Sequence, residues 1–378
     1  MKTAIIDCSV SGHRETYYKQ FARTLHDAGH DVVLIAPQNE GLPADISFVK
    51  INHKPELPLS ECKPLQKKMR ILHNALIRIE NLISLKAQLS QINPDFLFFA
   101  CLDDMLPVLN GSAWMDRLIP FRWSGLLVQA ALPPYCKFRP DVRPALKSKN
   151  CTGVGTLNEY ATKSLSSFQQ RLVVFPDFAD ISAPAPNYQL AQQLRLRAKG
   201  RKIISLLGSI HPRKGIERYL RCCELLDADQ YFFLIAGKPS LSARLSDQLK
   251  KFEEDHPNCL FSLDRIPDEP SFNALVNESD LIFAVYNNFS GSSNLLTKAA
   301  AFHKPVLVGE SLCMSRRVQA YGIGISIADN DDQQCADSIR KLCYEKPISR
   351  SLFDQYIADH NANRLNTCFD RLILQPEK

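Results

Sequence analysis

The chain has 378 residues, of which 45% are hydrophobic and 23% are charged, so it has enough apolar material for two packed domains. The net charge of +6 is modest, and a nucleic-acid partner is not expected. Twelve cysteines occur without a C-x-x-C pair, which excludes an obvious zinc site and a disulfide framework.

Free thiols in this number fit a reducing compartment. The N-terminus enters a predicted strand at once, without the apolar region of a signal peptide, and no apolar stretch is long enough to cross a bilayer. The sequence therefore predicts a cytoplasmic protein, at most peripheral at the inner face of a membrane.

The chain begins with a βαβ unit. Its parts are a strand, a helix that ends at a glycine, and a second strand: Lys2–Ile6, His13–Ala28 and Asp31–Pro37. The loop before the helix contains a single glycine, Gly12, and lacks the G-x-G-x-x-G pattern, so a nicotinamide cofactor is not expected.

A long helical pattern, Leu65–Ile92, carries much of the basic excess. Its apolar residues in register are Leu72, Leu76, Ile79 and Ile83, and its cations are Lys67, Lys68, Arg70, Arg78 and Lys86. Two interpretations stay open, a surface helix of the first domain and a basic amphipathic face that lies on lipid. The wider basic stretch, from Glu61 to Asn150, suits an anionic membrane or an acidic acceptor, and equally an ordinary soluble surface.

Further apolar runs extend a first doubly wound sheet to the proline-containing linker Ile181–Gln189. These runs are Ile46–Ile51, Asp95–Ala100, Arg122–Gln129, Cys151–Leu157 and Arg171–Phe175. A second set of strands and helices follows the linker: Leu190–Lys199, Ile203–Leu207, Tyr231–Ala236, Ser240–His256, Cys259–Ser262, Pro267–Asn277, Leu281–Val285, Leu295–Phe302, Pro305–Val308, Gly322–Ile327, Asp331–Leu342 and Arg350–Leu374.

The strand Ile203–Leu207 ends at Gly208 and leads into a polar loop, Ser209–Gly215, that carries Arg213 and Lys214. Ligands bind at the carboxyl ends of the strands in open α/β sheets, and two cations beside helix N-terminal amides suit a phosphate. The alternative is a solvated loop with surface charges.

A second polar cluster precedes the helix Leu295–Phe302. It contains Ser290, Gly291, Ser292, Ser293 and Asn294, with Lys298 about one turn further along. Free amides and hydroxyls there would hold a second phosphate or sugar hydroxyls, whereas the alternative is an ordinary capped helix with a solvated lysine. Two such loops in one domain are expected to converge on a cleft between the domains.

These segments together resemble retaining GT-B glycosyltransferases, most nearly the family-4 type. The resemblance rests on SGHRETYYKQFARTLHDAGHDVVLIAP, LLGSIHPRKGIERYL, FFLIAGKP and SDLIFAVYNNFSGSSNLLTKAAAFHKPVLVGE, and it runs over nearly the whole chain. It implies an α/β fold of two Rossmann-like doubly wound domains that face a central cleft. The expected divisions are an acceptor domain at 1–180, a nucleotide-sugar donor domain at 181–349, and a C-terminal helix or helix pair at 350–378 that returns to the first domain.

The resemblance implies a role for each matching position. Lys214 matches a lysine that contacts the donor diphosphate, and Gly12 matches a glycine that approaches the donor phosphate and sugar. The predicted catalytic residues are Lys214, Arg213 and His13. The predicted donor-binding residues are Gly12, Gly208, Ser209, Gly237, Ser290, Gly291, Ser292, Ser293, Asn294 and Lys298.

Three positions depart from the family pattern. Ser209 replaces the usual arginine of the donor loop, and Arg213 is a candidate to supply the missing guanidinium. Ser290 and Lys298 replace two glutamates that usually contact the donor sugar and the ribose. These replacements favour a second hypothesis, a non-catalytic GT-B-like subunit that binds a nucleotide or a partner transferase.

The first hypothesis is a glycosyltransferase that uses a nucleotide sugar as its substrate and needs neither metal nor cofactor. Its acceptor would be a polysaccharide, a glycolipid or a glycoprotein, so the partners are glycan, lipid-linked or protein acceptors, with peripheral contact to an anionic membrane left open. A third hypothesis is a GT-B relative of other chemistry, such as a nucleotide-sugar epimerase.

Overall fold

The computed structural model describes residues 1–9, 14–39, 41–57, 64–129, 141–310, 313–328, 331–345 and 347–373. The chain divides into two compact units. Unit 1 comprises Met1–Pro176 together with Ala362–Lys378, and unit 2 comprises Asp177–Asn361.

Within its described residues, unit 1 contains a seven-stranded parallel sheet in the order β3-β2-β1-β4-β5-β6-β7. The strands are β1 Lys2–Ile6, β2 Asp31–Ala36, β3 Ser47–Lys50, β4 Phe96–Phe99, β5 Arg122–Leu127, β6 Val154–Thr156 and β7 Leu172–Val174. The central strands are apolar on both faces because helices cover both sides of a parallel sheet.

The helices of unit 1 are α1 Arg14–Asp27, α2 Pro64–Ile92, α3 Gly111–Leu118, α4 Thr162–Leu165 and α13 Leu365–Ile373. The last of them joins the core of this unit through an aromatic cluster. Phe369 of α13 packs edge-on against Phe21 of α1 at 5.7 Å and against Phe98 of β4 at 4.9 Å between ring centroids. The final helix is therefore part of the hydrophobic core of unit 1.

Unit 2 repeats the same architecture, with a six-stranded parallel sheet in its described part, in the order β10-β9-β8-β11-β12-β13. The strands are β8 Lys202–Leu207, β9 Tyr231–Ala236, β10 Cys259–Ser262, β11 Leu281–Ala284, β12 Val306–Gly309 and β13 Gly324–Ile327. Helices pack on both faces of the sheet: α5 Gln189–Ala198, α6 Ile216–Leu225, α7 Ala243–Asp255, α8 Glu269–Glu278, α9 Leu295–Ala301, α10 Met314–Tyr321, α11 Asp332–Tyr344 and α12 Arg350–Asp359.

Both strand orders begin 3-2-1-4-5-6, which is the doubly wound Rossmann order. The predicted fold class of two Rossmann-like α/β domains is therefore confirmed. Each sheet has a topological switch point, where the strand order reverses between the first and fourth strands of the unit. Ligands of such sheets bind in the crevice outside the carboxyl ends of these two strands.

Some boundaries differ from the predicted ones. The units divide after Pro176, four residues before the predicted position, and the chain re-enters unit 1 at Ala362. The segment from Arg350, predicted as a final helix or helix pair that returns to the first domain, is two helices, of which α12 packs in unit 2 through buried Phe353 and Tyr356. Three helices, α3, α4 and α10, were not predicted.

Candidate functional site

The switch point of unit 2 brings the two predicted loops together. The loop after β8 contains a 3-10 turn, Pro212–Lys214, and the loop after β11 begins at Val285. The backbone N–H of Asn287 donates a hydrogen bond to the carbonyl of Arg213 at 2.8 Å. The loops therefore form one connected surface at the carboxyl edge of the sheet.

Lys214 lies at the centre of this surface. Its ammonium donates to the carbonyl oxygen of Leu207 at 2.8 Å and to the hydroxyl of Tyr286 at 2.9 Å. The ammonium also lies 4.6 Å from the centroid of the Tyr286 ring, within the range of a cation–π contact. A lysine has three donors, so its ammonium has one donor beyond these two bonds to offer an anion.

Tight backbone contacts shape the floor of the site. A Cβ at Gly237, which has a φ of +144°, would lie 1.8 Å from the carbonyl oxygen of Gly208. A Cβ at Gly215, which has a φ of +72°, would lie 2.2 Å from the carbonyl oxygen of Val285. Only glycine fits these two positions, so main chain packs directly on main chain where the loops after β8, β9 and β11 begin.

Arg213 and His211 complete the loop after β8. The exposed Arg213 guanidinium lies over the Phe289 ring, 5.0 Å from its centroid, which joins it to the loop after β11. Burial, together with the charges of Arg213 and Lys214, lowers the pKa of His211 to about 4. At neutral pH the charge of this loop therefore comes from the lysine and the arginine.

The other predicted residues after β8 and β11 lie around this centre. Gly208 directly follows β8, where a Cβ would lie 3.4 Å from the Lys214 ammonium, and Ser209 is exposed beside it. Gly291 lies against the Phe289 ring, where a Cβ would be 3.2 Å from the ring edge, and the neighbouring Ser290 and Ser293 are half-buried.

Ser292 has buried charged partners. Its hydroxyl donates to the Asp177 carboxylate and accepts a hydrogen bond from Arg317 at 2.6 Å, and Arg317 lies 3.2 Å from the same carboxylate. Arg317 and Asp177 are 0% and 1% exposed. The pair thus fixes the loop after β11 to α10 and to the first residue of unit 2.

The alternative given for this cluster, an ordinary capped helix with a solvated lysine, is wrong. Asn294 holds the N-cap position of α9, but its side chain makes no capping hydrogen bond, so the helix is not capped in the ordinary way. Lys298 is not solvated, because it is only 2% exposed. Its ammonium donates to the Asp180 carbonyl at 2.5 Å and to Asn273 at 2.6 Å, and it pairs with Glu269 at 2.8 Å.

The switch point of unit 1 carries a charged cluster of its own. Arg14 at the start of α1 pairs with Asp7, which follows β1, at 2.7 Å, and also with Asp104, which follows β4. Burial raises the pKa of the Asp7 carboxyl to about 6, although the charge of Arg14 opposes this shift. The predicted residues Gly12 and His13 belong to the same loop but lie outside the described residues.

Several residues of these clusters were not predicted. Tyr286, Asp177, Arg317 and Arg14 each contact a predicted residue or occupy a switch point. The position of Tyr286 directly after an apolar strand was an available signal. The burial of Arg317 had no such signal, because an arginine beside a second arginine is typical of an exposed helix face. Among the residues that the structure describes, no group of three or more His, Cys, Asp or Glu could hold a metal ion.

Comparison with known proteins gives matches in structure only. No family model matches the chain, and a search of curated proteins finds no similar sequence. Among solved structures, WaaG, a glycosyltransferase involved in lipopolysaccharide biosynthesis, is similar with a TM-score of 0.70 at 13% identity, covering 98% of this chain and 99% of that one.

Two other solved structures carry nucleotide ligands. Anabaena HepE in complex with UDP and glucose has a TM-score of 0.66 at 14% identity, covering 99% of both chains. The E. coli trehalose-6-phosphate protein bound with UDP-2-fluoro glucose has a TM-score of 0.73 at 11% identity, covering 100% of both chains. This chain has the GT-B fold.

In a chain with the GT-B fold, the Lys214 surface lies in the second Rossmann-like unit and the Asp7–Arg14–Asp104 cluster lies in the first. The switch points of the two units differ in the charged side chains that they carry. A lysine and an arginine mark the switch point of unit 2, and two carboxylates joined by one arginine mark that of unit 1.

Proposed function

We propose that this protein is a glycosyltransferase that moves a sugar from a nucleotide-sugar donor to an acceptor. The observation that carries the proposal is the Lys214 ammonium at the switch point of unit 2, backed by glycine main chain and flanked by the exposed Arg213. The GT-B fold, which glycosyltransferases such as WaaG share, supports it.

The chemistry follows from the charge that develops on the donor. When the sugar leaves, the nucleoside diphosphate gains negative charge on its terminal phosphate. Lys214 and Arg213, fixed by Tyr286 and Phe289, would stabilise that charge in the transition state without reorganising. The cations themselves can do this work, so the proposal needs no metal. The resemblance in sequence assigns the reaction to the retaining, family-4-like type.

The donor set extends beyond Lys214 and Arg213. We propose that Gly208, Ser209, Gly237, Ser290, Gly291 and Ser293 line the donor. The resemblance in sequence assigns Gly12 and His13 to the donor as well. Ser292, Asn294 and Lys298 complete the predicted set. The buried bonds of Ser292 and Lys298 favour a supporting role, in which they fix the loops that the donor contacts.

We propose the nucleotide base of the donor by analogy with two solved structures. UDP occupies HepE, and UDP-2-fluoro glucose occupies the E. coli trehalose-6-phosphate protein, so UDP-linked sugars are the first donors to test. The proposed acceptor is a glycan, a lipid-linked sugar or a glycoprotein, acted on in the cytoplasm or at the inner face of a membrane.

One observation favours a second candidate, a non-catalytic subunit that binds a nucleotide or a partner transferase. Lys298 occupies the position of a family glutamate, and its ammonium is held by Asn273 and Glu269 inside unit 2. This position therefore holds a buried cation, which cannot accept a hydrogen bond from a ribose hydroxyl as a carboxylate could.

Donor turnover separates the two candidates. Wild type, Lys214→Ala and the control Lys251→Ala, an exposed lysine of α7, are each incubated with UDP-, GDP- and ADP-linked sugars. We expect slow release of one nucleotide by wild type and Lys251→Ala, and at least tenfold slower release by Lys214→Ala. Nucleotide binding without turnover of any donor supports the subunit, and acceptor-free conversion of a nucleotide sugar to its epimer supports the third hypothesis.

A further inference from the structure

The buried ammonium of Lys298 is surrounded by oxygens of unit 2. It donates to the Asp180 carbonyl at 2.5 Å and to the Asn273 side chain at 2.6 Å, and it lies 2.8 Å from Oε2 of Glu269. A lysine ammonium has three donors, which these three oxygens match. At 2% exposure the side chain is also closed off from solvent. The charge of Lys298 therefore acts inside unit 2, on Glu269, and not on a ligand.

The Glu269 carboxylate is more accessible than its cation. Its side chain is 33% exposed, and only Oε2 is directed at Lys298. Among the residues that the structure describes, none donates a hydrogen bond to the other oxygen, Oε1. The neighbouring Asp268 differs, because its carboxylate accepts the Ser271 N–H at 2.8 Å and caps α8. Glu269 thus offers one acceptor oxygen on a carboxylate that a buried cation holds in place.

Phe272 connects this ion pair to the Lys214 surface. It follows Glu269 by three residues, so the two side chains lie on one face of α8. The Lys298 ammonium is 5.2 Å from the centroid of the Phe272 ring. A Cβ at Gly208 would lie 3.9 Å from the same ring and 3.4 Å from the Lys214 ammonium. One aromatic ring therefore separates the Glu269 carboxylate from the cation proposed for the donor diphosphate.

The charge of Glu269 limits what it can bind. A phosphate beside the carboxylate is disfavoured, because like charges repel at short range. A carboxylate oxygen accepts hydrogen bonds, so its ligand is a group that donates them. On a nucleotide sugar whose diphosphate occupies Lys214, such groups are hydroxyls, and they belong either to the ribose or to the transferred sugar.

The sheet order favours the ribose. In the order β10-β9-β8-β11, the loops after β10 and β11 lie on opposite sides of the strand that leads to Lys214. Glu269 follows β10, whereas Ser290 and Ser293 follow β11. A donor held at its diphosphate by Lys214 thus presents opposite ends to Glu269 and to the serines. Since the serine loop is already proposed to line the donor, its hydroxyls suit the transferred sugar, and Glu269 is left to the nucleoside.

We propose that Glu269 accepts hydrogen bonds from the ribose hydroxyls of the donor, and that Lys298 is a positioning residue that fixes its carboxylate. The inference rests on the proposed function, because it needs a diphosphate on Lys214. The ribose acceptor is then not lost where Lys298 replaces a glutamate, since α8 supplies the carboxylate instead.

The test is calorimetric binding of matched nucleotides to the full chain. UDP, GDP and ADP are each compared with their 2′,3′-dideoxy analogues, which keep the base and the diphosphate but lack both ribose hydroxyls. We expect the nucleotide that wild type binds to lose about tenfold or more in affinity as its dideoxy analogue, because hydroxyl–carboxylate hydrogen bonds are charge-assisted. This comparison uses wild type alone, so it does not depend on how any variant folds.

Glu269→Gln assigns that preference to one residue. The variant keeps the size of the side chain and removes its charge, so the dideoxy-to-ribose ratio of dissociation constants should fall to about threefold or less. The matched control Glu278→Gln changes another carboxylate of α8, which pairs with Arg195 at 2.9 Å, and it should keep the wild-type ratio. A purely structural role of Glu269 would weaken both nucleotides alike and leave the ratio unchanged.

Three results would overturn this proposal alone. Wild type could bind a nucleotide and its dideoxy analogue equally, or Glu269→Gln could keep the wild-type ratio. Glu269→Gln could also weaken UDP-glucose and leave UDP unchanged, which would assign the carboxylate to the transferred sugar. A nucleotide still binds in each of these cases, so the proposed glycosyl transfer stands. Failure of wild type to bind any nucleotide would instead overturn both.

Discussion

The Lys214 ammonium lies 2.9 Å from the Tyr286 hydroxyl, although 72 residues separate them in the chain. Lys214 follows β8 and Tyr286 follows β11, so their contact joins the two loops at the switch point of unit 2. The aromatic ring and the Leu207 carbonyl hold the ammonium in place. A cation fixed in this way needs little rearrangement to receive a diphosphate.

Tyr286→Phe removes one acceptor of Lys214 and keeps the aromatic ring. We expect a dissociation constant for UDP about fivefold higher than in wild type, in line with the net worth of one hydrogen bond of about 1 kcal/mol. Isothermal titration calorimetry measures it. Equal or tighter binding by the variant would mean that the hydroxyl does not position the lysine for a nucleotide.

Gly237→Ala tests the tight backbone beneath the site. The added Cβ would lie 1.8 Å from the Gly208 carbonyl oxygen, so we expect the free energy of unfolding to fall by about 3 kcal/mol or more. Gly200→Ala is the control, because its φ is also positive, at +82°, but nothing lies within 4 Å of the new Cβ, and about 1 kcal/mol is expected there. If urea denaturation gives similar losses of unfolding free energy for Gly237→Ala and Gly200→Ala, the close approach of Gly237 to the Gly208 carbonyl is contradicted.

Arg317→Met tests the buried pair behind Ser292. The variant leaves the Asp177 carboxylate without its guanidinium partner, and breaking a buried pair in this way costs about 3–5 kcal/mol. Arg221→Met breaks a pair with Asp332 on a side chain that is 59% exposed, and should cost less than about 1 kcal/mol. If chemical denaturation gives equal losses of unfolding free energy for the two variants, the Arg317 pair behaves like an exposed pair and the account is contradicted.

The low pKa of His211 predicts that the free energy of unfolding depends on pH. Its pKa is about 4 in the folded chain, below the ordinary value of 6.5, so the unfolded chain binds the proton first as pH falls. Its contribution to stability is therefore complete above pH 6.5 and is lost between pH 6.5 and 4. In His211→Gln, the free energy of unfolding should fall less than in wild type over that window.

The comparison with wild type isolates this effect. The Asp7 carboxyl, with its pKa raised to about 6, acts in the opposite direction but equally in both proteins. Parallel stability profiles for the two proteins between pH 7 and 4 would show that His211 titrates alike in the folded and unfolded chains.

Much of the fold could be predicted because buried parallel strands are short apolar runs. The strand predicted at Tyr231–Ala236 has those bounds in the structure, and both sheets are doubly wound as expected. Helix α10 was not predicted, although Met314, Val318 and Tyr321 of its sequence, MSRRVQAY, have helical spacing. The burial of Arg317 could not be predicted because it depends on Asp177, 140 residues away.

Helix α2 shows a different limit. Its apolar residues form two rows, and periodicity alone does not tell which row faces the core. Leu72, Leu76 and Ile83, in register in the sequence, are on the outer row, while Leu82, Leu85 and Leu89 pack inward.

Part of the candidate site could be predicted because its residues form a local sequence pattern. A glycine turn followed by Arg213 and Lys214 is a local pattern, so the loop after β8 could be found in the sequence. The partners of Ser292 and Lys298 are not local, since Asp177 and Asp180 lie more than a hundred residues earlier. A serine and a lysine near a helix start therefore give the same sequence signal whether they contact a ligand or a buried acceptor.

Binding of a nucleoside diphosphate tests the central claim most directly. UDP, and then GDP and ADP, are titrated calorimetrically into wild type, Lys214→Ala and the control Lys251→Ala. The account predicts one bound nucleotide per chain in wild type and in the control, and binding about ten- to a hundredfold weaker in Lys214→Ala, since a charge-assisted hydrogen bond is lost. Equal affinity in Lys214→Ala, or no binding of any of the three by wild type, would contradict it.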